Sequence, residues 1–286
     1  EDVSDDTWSL LQILRHLDDD NDDAFGVGVS ISKDGSTIAI GADTHEDGGS
    51  NRNSDLVSII FKFGQYEQVG RIRAADRASN DRMGRSLALS EDGSVLAVGV
   101  FDDHTAGGND TGSVRVYDVI GSTWTDFFTN GSVEDPGDQN GETLLALGGP
   151  EADEEFGRSV SISGNRIVVG EYLADGVPNN SGAAYVYEYN GTDWNTNVTT
   201  LPNPSTHSND DRFGRSVDID GDTIVVGGYQ DDPSGSNSGS AVVYEWSGTA
   251  WVETALLSAS NAGTNDNFGL SVAVDGDHIV VGAYRE

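Results

Sequence analysis

Cysteine is absent from the 286-residue chain. Its absence excludes a disulfide framework, a thiolate metal site and a cysteine nucleophile. Lysine is nearly absent too, with only Lys33 and Lys62, so 15 basic residues face 49 acidic ones and the net charge is −34. A field of that sign repels nucleic acid and anionic lipid and attracts cations and basic partners, so nucleic-acid binding is excluded. No apolar run approaches the ~18 residues that a membrane-spanning helix needs. The histidines, His16, His45, His104, His207 and His278, are scattered without metal-ligand spacing. The chain has no G-x-S-x-G elbow, no H-E-x-x-H and no phosphate-cradling glycine loop. Acidic pairs are the raw material of a glycosidase, but nothing in the sequence singles out two of them. The expectation is a protein without catalysis.

What the chain has in quantity is glycine, 37 residues, and aspartate, which outnumbers glutamate 35 to 14. Aspartate suits turns because its short side chain bonds nearby backbone amides and tolerates left-handed geometry. Most of the acids therefore read as loop chemistry. The residual charge fits a saline exterior or a Ca2+-rich milieu, where screening shortens the Debye length to roughly 8 Å or less; a halophile's cytoplasm would fit it as well. Five N-x-[ST] sequons, at Asn109, Asn130, Asn179, Asn190 and Asn197, fit a secreted glycoprotein. The chain opens Glu1-Asp2-Val3, which reads as a processed protein or a fragment.

One pattern recurs from end to end. The pairs Phe25-Gly26, Met83-Gly84, Phe156-Gly157, Phe213-Gly214 and Phe268-Gly269 are spaced by 58, 73, 57 and 55 residues. Periods of this length that contain only strand-like runs indicate propeller blades. The first strand of each unit alternates, with Leu87 and Leu89 or Val217 and Ile219 on one face and small residues (Gly28, Ser86, Ser159, Ser216, Ser271) on the other. Small residues suit the strand closest to a crowded axis. The second strand is an apolar run ending in glycine, as in Ile224–Gly227, and is expected to be buried on both faces. Gly164-Asn165, Gly221-Asp222 and Gly276-Asp277 are two-residue hairpin turns in which glycine supplies positive φ. A third, aromatic-rich strand precedes a glycine turn and a fourth strand. That fourth strand is expected to carry the aromatic 17 or 19 residues before the next Phe-Gly (Tyr66, Trp194, Trp251); Trp124 is displaced by an insertion within 125–149.

The expected fold is one all-β domain over 1–286, a β-propeller of four-stranded antiparallel blades. Its units start near 25, 83, 156, 213 and 268. Four blades are complete, with a closing outer strand in 1–16 and a half-blade from Phe268. Because no third strand follows that half-blade, the chain is expected to be truncated at its C-terminus.

The runs Phe213-Gly214-Arg215-Ser216-Val217, Gly221-Asp222, Ile224-Val225-Val226-Gly227 and Gly239-Ser240-Ala241-Val242-Val243-Tyr244 resemble the FG-GAP repeat family, of the bacterial and marine-eukaryote type. The resemblance covers nearly the whole chain and implies a seven-bladed ring used in ectodomains. The integrin α-chain propeller is a more distant relative. Its Ca2+ sites do not carry over, because they need a long DxDxDG loop where this chain has turns of two to four residues.

Loops between the second and third strands, and from blade to blade, share one face. They are Asp18–Asp23, Asp76–Asp81, Glu151–Glu155, Asn209–Asp211 and Asn265–Asn267 between blades, and Asp43–Asp55, Asp102–Asp110, Asp175 and Asp231–Asp232 within them. This acidic rim is either a solvated surface, a weak Ca2+ site or a dock for a basic or glycan partner. The Ca2+ candidates are Asp102, Asp103, Asp231 and Asp232. Arg85, Arg158 and Arg215, each following a Phe-Gly, read as counter-charge to the rim, with an anion site as the alternative. The expected function is an extracellular or cell-surface adhesion, matrix or assembly module with a protein or glycan partner, or self-assembly. The rivals are a propeller enzyme acting on extracellular polysaccharide and a structural subunit of a surface filament or coat.

Overall fold

The computed structural model describes residues 10–14, 24–42, 56–63, 65–72, 81–105, 110–119, 141–146, 153–175, 180–202, 204 and 208–285. Among them the chain is all strand, turn and loop. The first blade comprises β1 (Phe25–Ile31), β2 (Thr37–Ala42), β3 (Leu56–Phe63) and β4 (Gln65–Ile72). The second comprises β5 (Met83–Leu89), β6 (Val95–Val100), β7 (Ser113–Asp118) and β8 (Gly141–Leu144). The third holds β9 (Phe156–Ser163), β10 (Arg166–Glu171), β11 (Ala183–Glu188) and β12 (Val198–Thr200), and the fourth β13 (Phe213–Asp220), β14 (Thr223–Gly228), β15 (Ser240–Trp246) and β16 (Trp251–Leu257). A fifth unit contributes the hairpin β17 (Phe268–Asp275) and β18 (His278–Ala283). Each four-stranded sheet is an antiparallel meander in chain order.

Burial follows from packing blade on blade. The second strands of the four complete blades are covered on both faces, and β6 is buried at every position. Four apolar clusters lie between successive units; one joins Val114 and Leu144 of the second blade to Phe156, Ile167 and Tyr187 of the third. Phe156 meets Tyr187 edge-on at 6.2 Å between ring centres, and Phe213 meets Tyr244 at 6.3 Å. The tyrosine hydroxyl then reaches the outer end of the preceding blade: Tyr187 donates to the Leu145 carbonyl, and Tyr244 to that of Pro202. At the two ends of the arc the same apolar alternation is open to solvent, with Val29 60% and Val280 69% exposed.

The hairpin turns are as expected: Gly164, Gly221 and Gly276 sit at φ of 57°, 55° and 53°. In the longer turns Asp34 accepts from the Ser36 N–H and the Ser32 hydroxyl, and Asp92 does the same with Ser94 and Ser90. Those bonds, the backbone one first, hold both carboxyls below the ordinary range.

Three fourth-strand expectations change. In the second blade the strand is β8, after the insertion rather than before it, because Leu144 is what fills the core; Trp124 lies outside the described residues. In the third blade Trp194 precedes β12 instead of lying in it. It is buried, packed on Tyr189 at 5.2 Å between ring centres, with its backbone N–H donating to the Glu142 carboxylate at 2.8 Å. At the N-terminus residues 10–14 are not strand, and Leu10 and Leu11 are exposed. Gln12 ties this segment to β4, exchanging two hydrogen bonds with the Tyr66 backbone; Trp8 lies outside the described residues.

The small-residue face of the first strand has a use beyond fitting near an axis. The inner strands of neighbouring blades are not paired by their backbones, so side chains complete their polar groups. Ser86, Ser159 and Ser216 each donate to the carbonyl of the next unit's Phe-Gly glycine, at 2.6, 2.9 and 2.8 Å. Two residues on, Ser30 accepts from the Leu89 N–H, and Asp218 accepts from both the Ser161 hydroxyl and the Val274 N–H. Asp220 accepts from Gly276. The Asp218-Ile219-Asp220 run is therefore a splice between three units.

Candidate functional site

The loop face is built from one recurring turn. The residue before each Phe-Gly or Met-Gly pair is left-handed without being glycine: Ala24, Arg82, Glu155, Arg212 and Asn267 have φ of 47–60°. The following glycine is also at positive φ, 86–93°. The N–H after it closes onto the first carbonyl, as Arg158 does on Glu155 and Arg215 on Arg212, both at 3.3 Å. This turn drives the phenylalanine into the core between blades and delivers the next residue to the axis. Arg85, Arg158 and Arg215 arrive there, with Ser86, Ser159 and Ser216 beside them, around an open cavity of about 280 Å³ lined by the first strands of all five units.

Aromatic rings that follow the second strands interleave with these arginines. Arg158 lies over Phe101 at 4.3 Å and beside Tyr172 at 5.6 Å; Arg85 reaches Phe101 at 6.0 Å and Arg215 reaches Tyr172 at 5.8 Å. Such contacts contribute about 0.5–1 kcal/mol each at exposed sites and more when dry. The counter-charge reading holds for Arg158, whose Nη1 is 3.3 Å from Glu155. It does not hold for Arg215, which has no ion pair among the described residues. Burial, and then the like charge of Arg158, push Arg215 below the usual arginine range.

The rim carboxylates fare differently. Asp103 is buried; its carboxylate accepts from the Ser113 hydroxyl at 2.5 Å and faces Arg115 Nη2 at 3.3 Å. Its carbonyl takes the Thr111 and Gly112 N–H groups. Asp231, the matching residue two blades on, is buried too, and its carbonyl takes the Gly239 N–H at 2.8 Å. In the intervening blade the matching residue is Ala174, and the acid has moved to Glu171, which accepts from Tyr185 at 2.7 Å. Asp232 caps its own loop through the Asn237 N–H at 2.5 Å. Asp211 accepts twice from Ser208.

Asp102 stands apart, paired with Arg82 Nε at 2.8 Å in a neighbourhood that also holds Asp110 and Glu155. Burial is the main influence, partly opposed by Arg82 and reinforced by the two acids, and its carboxyl is pushed up to about 6. Among the described residues no three histidine or acidic side chains are arranged to hold a metal ion. The sign of the Asp102 effect on stability follows from linkage. A carboxyl with a folded pKa above its unfolded value binds protons on folding, so the folded state loses stability as pH rises through about 6. Asp102→Asn, which cannot ionise, is expected to gain melting temperature relative to the parent protein between pH 4 and pH 7. A difference constant across thermal scans at pH 4, 5, 6 and 7 would contradict this assignment.

Of the sequons, Asn109, Asn130 and Asn179 lie outside the described residues. Asn190 closes a turn, its Oδ1 taking the Thr192 and Asp193 N–H groups and its Nδ2 donating to Asp193 and Thr196. Asn197 Nδ2 donates to Glu188 at 2.8 Å. A glycan on either nitrogen would replace these contacts.

The FG-GAP repeat pattern matches residues 66–117, 142–187, 203–244 and 251–286, more than half of the chain. The chain belongs to the FG-GAP repeat family. Within this FG-GAP propeller the first, second and fourth matched segments begin in the outer strand of one blade (β4, β8, β16) and run into the next unit, and each of the four contains one Phe-Gly or Met-Gly turn. No curated protein matches the sequence. Among solved structures it is similar to a functionally unknown protein from Desulfotomaculum acetoxidans, at 12% identity and a TM-score of 0.51, covering 89% of this chain and 62% of that one. It is also similar to the periplasmic gluconolactonase PpgL of Pseudomonas aeruginosa, at 15% identity and a TM-score of 0.50, covering 89% and 64%. The chain thus spans less than two thirds of either structure, and at these identities the likeness is one of fold. No helix among the described residues is long and apolar enough to cross a membrane.

Proposed function

We propose that this FG-GAP propeller is a non-catalytic recognition module of an extracellular or cell-surface protein, serving adhesion or assembly through its loop face. One observation carries the reading. The buried acids of that face, Asp103, Glu171 and Asp211, are engaged by the protein's own donors: Ser113 and Arg115 on Asp103, Tyr185 on Glu171 and Ser208 on Asp211. Carboxylates held this way stiffen a binding surface and are poor general acids or bases, because their protons have no path to a substrate. A negative surface around such a frame favours a basic or neutral-glycan partner.

The same geometry leaves Ca2+ only peripheral ligands. A cation at Asp103 would have to displace the Arg115 guanidinium, and one at Asp232 would compete with the loop's own N–H. Thermal scans are expected to show no specific stabilisation by millimolar Ca2+ beyond that given by Mg2+ at equal ionic strength. Glycan-array and surface-binding assays, run beside depolymerisation assays on the bound polysaccharides, test the module reading. Saturable binding with unchanged chain length is the expected result, and turnover of any bound glycan would overturn it.

A further inference from the structure

The overall charge of −34 makes the composition of the axial cavity unexpected. Its polar lining is arginine and serine. Like charges are brought together there: Arg158 shares the Phe101 ring with Arg85, and the Tyr172 ring with both Arg212 and Arg215. Glu155 answers Arg158, and Asp210 answers Arg212, which lies outside the cavity lining. Arg215 has no carboxylate answering it among the described residues. Gathering guanidinium groups against one another costs free energy in the empty protein, a cost that an anion placed between them removes.

We infer that the axial cavity binds a compact oxyanion, a carboxylate, sulfate or phosphate group on a small molecule, held by Arg85, Arg158 and Arg215. The inference goes beyond the loop-face reading and does not depend on it. Guanidinium is suited to the role because its planar fork matches oxyanion geometry with two parallel donors. The serines are not free to donate, since Ser86, Ser159 and Ser216 already give their protons to glycine carbonyls, so the arginines supply the donors. Size and charge define the ligand class. A cavity of about 280 Å³ holds a group no larger than a single sugar acid. A polyanion such as nucleic acid or a heavily sulfated glycan would also have to lie along the acidic loops, where it is repelled.

Calorimetric titration with sodium glucuronate, sodium sulfate and sodium phosphate, each against sodium chloride at equal ionic strength, tests this and separates the three sources. At least one is expected to bind saturably with 1:1 stoichiometry and to raise the melting temperature above the chloride control. Arg215→Gln is expected to weaken that binding at least tenfold, whereas Arg215→Lys, which keeps the charge and loses the fork, weakens it less. Arg85→Gln, on the opposite side of the cavity, should act in the same direction and serves where Arg215→Gln does not fold. Absence of saturable binding by all three salts, or equal binding by the parent and both glutamine variants, would overturn the inference.

Discussion

Arg115→Ala is expected to destabilise the protein by about 3–5 kcal/mol, the range for removing one member of a buried ion pair. Arg115 and Asp103 are both buried, and the guanidinium also donates to Thr143 Oγ1 at 2.5 Å. One side chain on β7 thus holds the loop that follows β6 and the outer strand β8. Truncation leaves the buried Asp103 carboxylate with the Ser113 hydroxyl as its remaining side-chain donor among the described residues. Asp103→Ala is expected to cost a similar amount, because it strands the guanidinium instead. The pair itself need not be strongly favourable: a double replacement, Asp103→Leu with Arg115→Met, is expected to recover much of the loss. Urea denaturation of the parent, the two single alanine variants and Asp103→Ala/Arg115→Ala closes the cycle, with the Leu/Met protein measured beside them. Single variants within 1 kcal/mol of the parent would show that water reaches the pair and that the loop is held by its backbone bonds alone.

The blade order was legible because local chemistry repeats: Phe-Gly, a glycine hairpin and an apolar run ending in glycine recur in register with the sheets. Contacts between blades were much less legible. Nothing adjacent to Ser86 marks it as the donor to Gly157, 71 residues away, and nothing marks Asp218 as joining Ser161 to Val274. The left-handed residue before each phenylalanine carries no consistent signal, being alanine, arginine, glutamate, arginine and asparagine in turn. Position is a weak guide where a role migrates. The buried acid bonded to the third strand is Asp103 in the second blade, through Ser113, and Glu171 in the third, through Tyr185. Arg85, Arg158 and Arg215 were visible as a repeat. Their convergence was not, because it depends on three turns of equal geometry facing one axis.

Those turns have to lie against the neighbouring blade, and Gly170→Ala tests how closely. Gly170, next to last in β10, has ordinary backbone geometry, so its requirement for glycine is one of space. A Cβ there would stand 1.9 Å from the Gly214 carbonyl oxygen and 2.4 Å from Ser159 Oγ, the two atoms that form the bond between these blades. Neither atom can swing away: one is backbone in a turn at φ 86°, the other is held by it. Gly41, Gly99 and Gly227 meet the next unit's glycine carbonyl at 1.9, 2.0 and 1.9 Å, so every junction has the same contact. Alanine must therefore push two blades apart, and the expected loss is about 3 kcal/mol, at the upper end for overpacking. Gly164→Ala provides the contrast. No atom lies within 4 Å of its Cβ, but φ is 57°, so the cost is conformational, about 1–2 kcal/mol, and asparagine should recover part of it. At Gly170 no larger side chain is expected to help. Equal losses for Gly170→Ala and Gly164→Ala, with asparagine helping at both sites, would mean that the junction can open and that the axis is wider in solution than the contact at Gly214 allows.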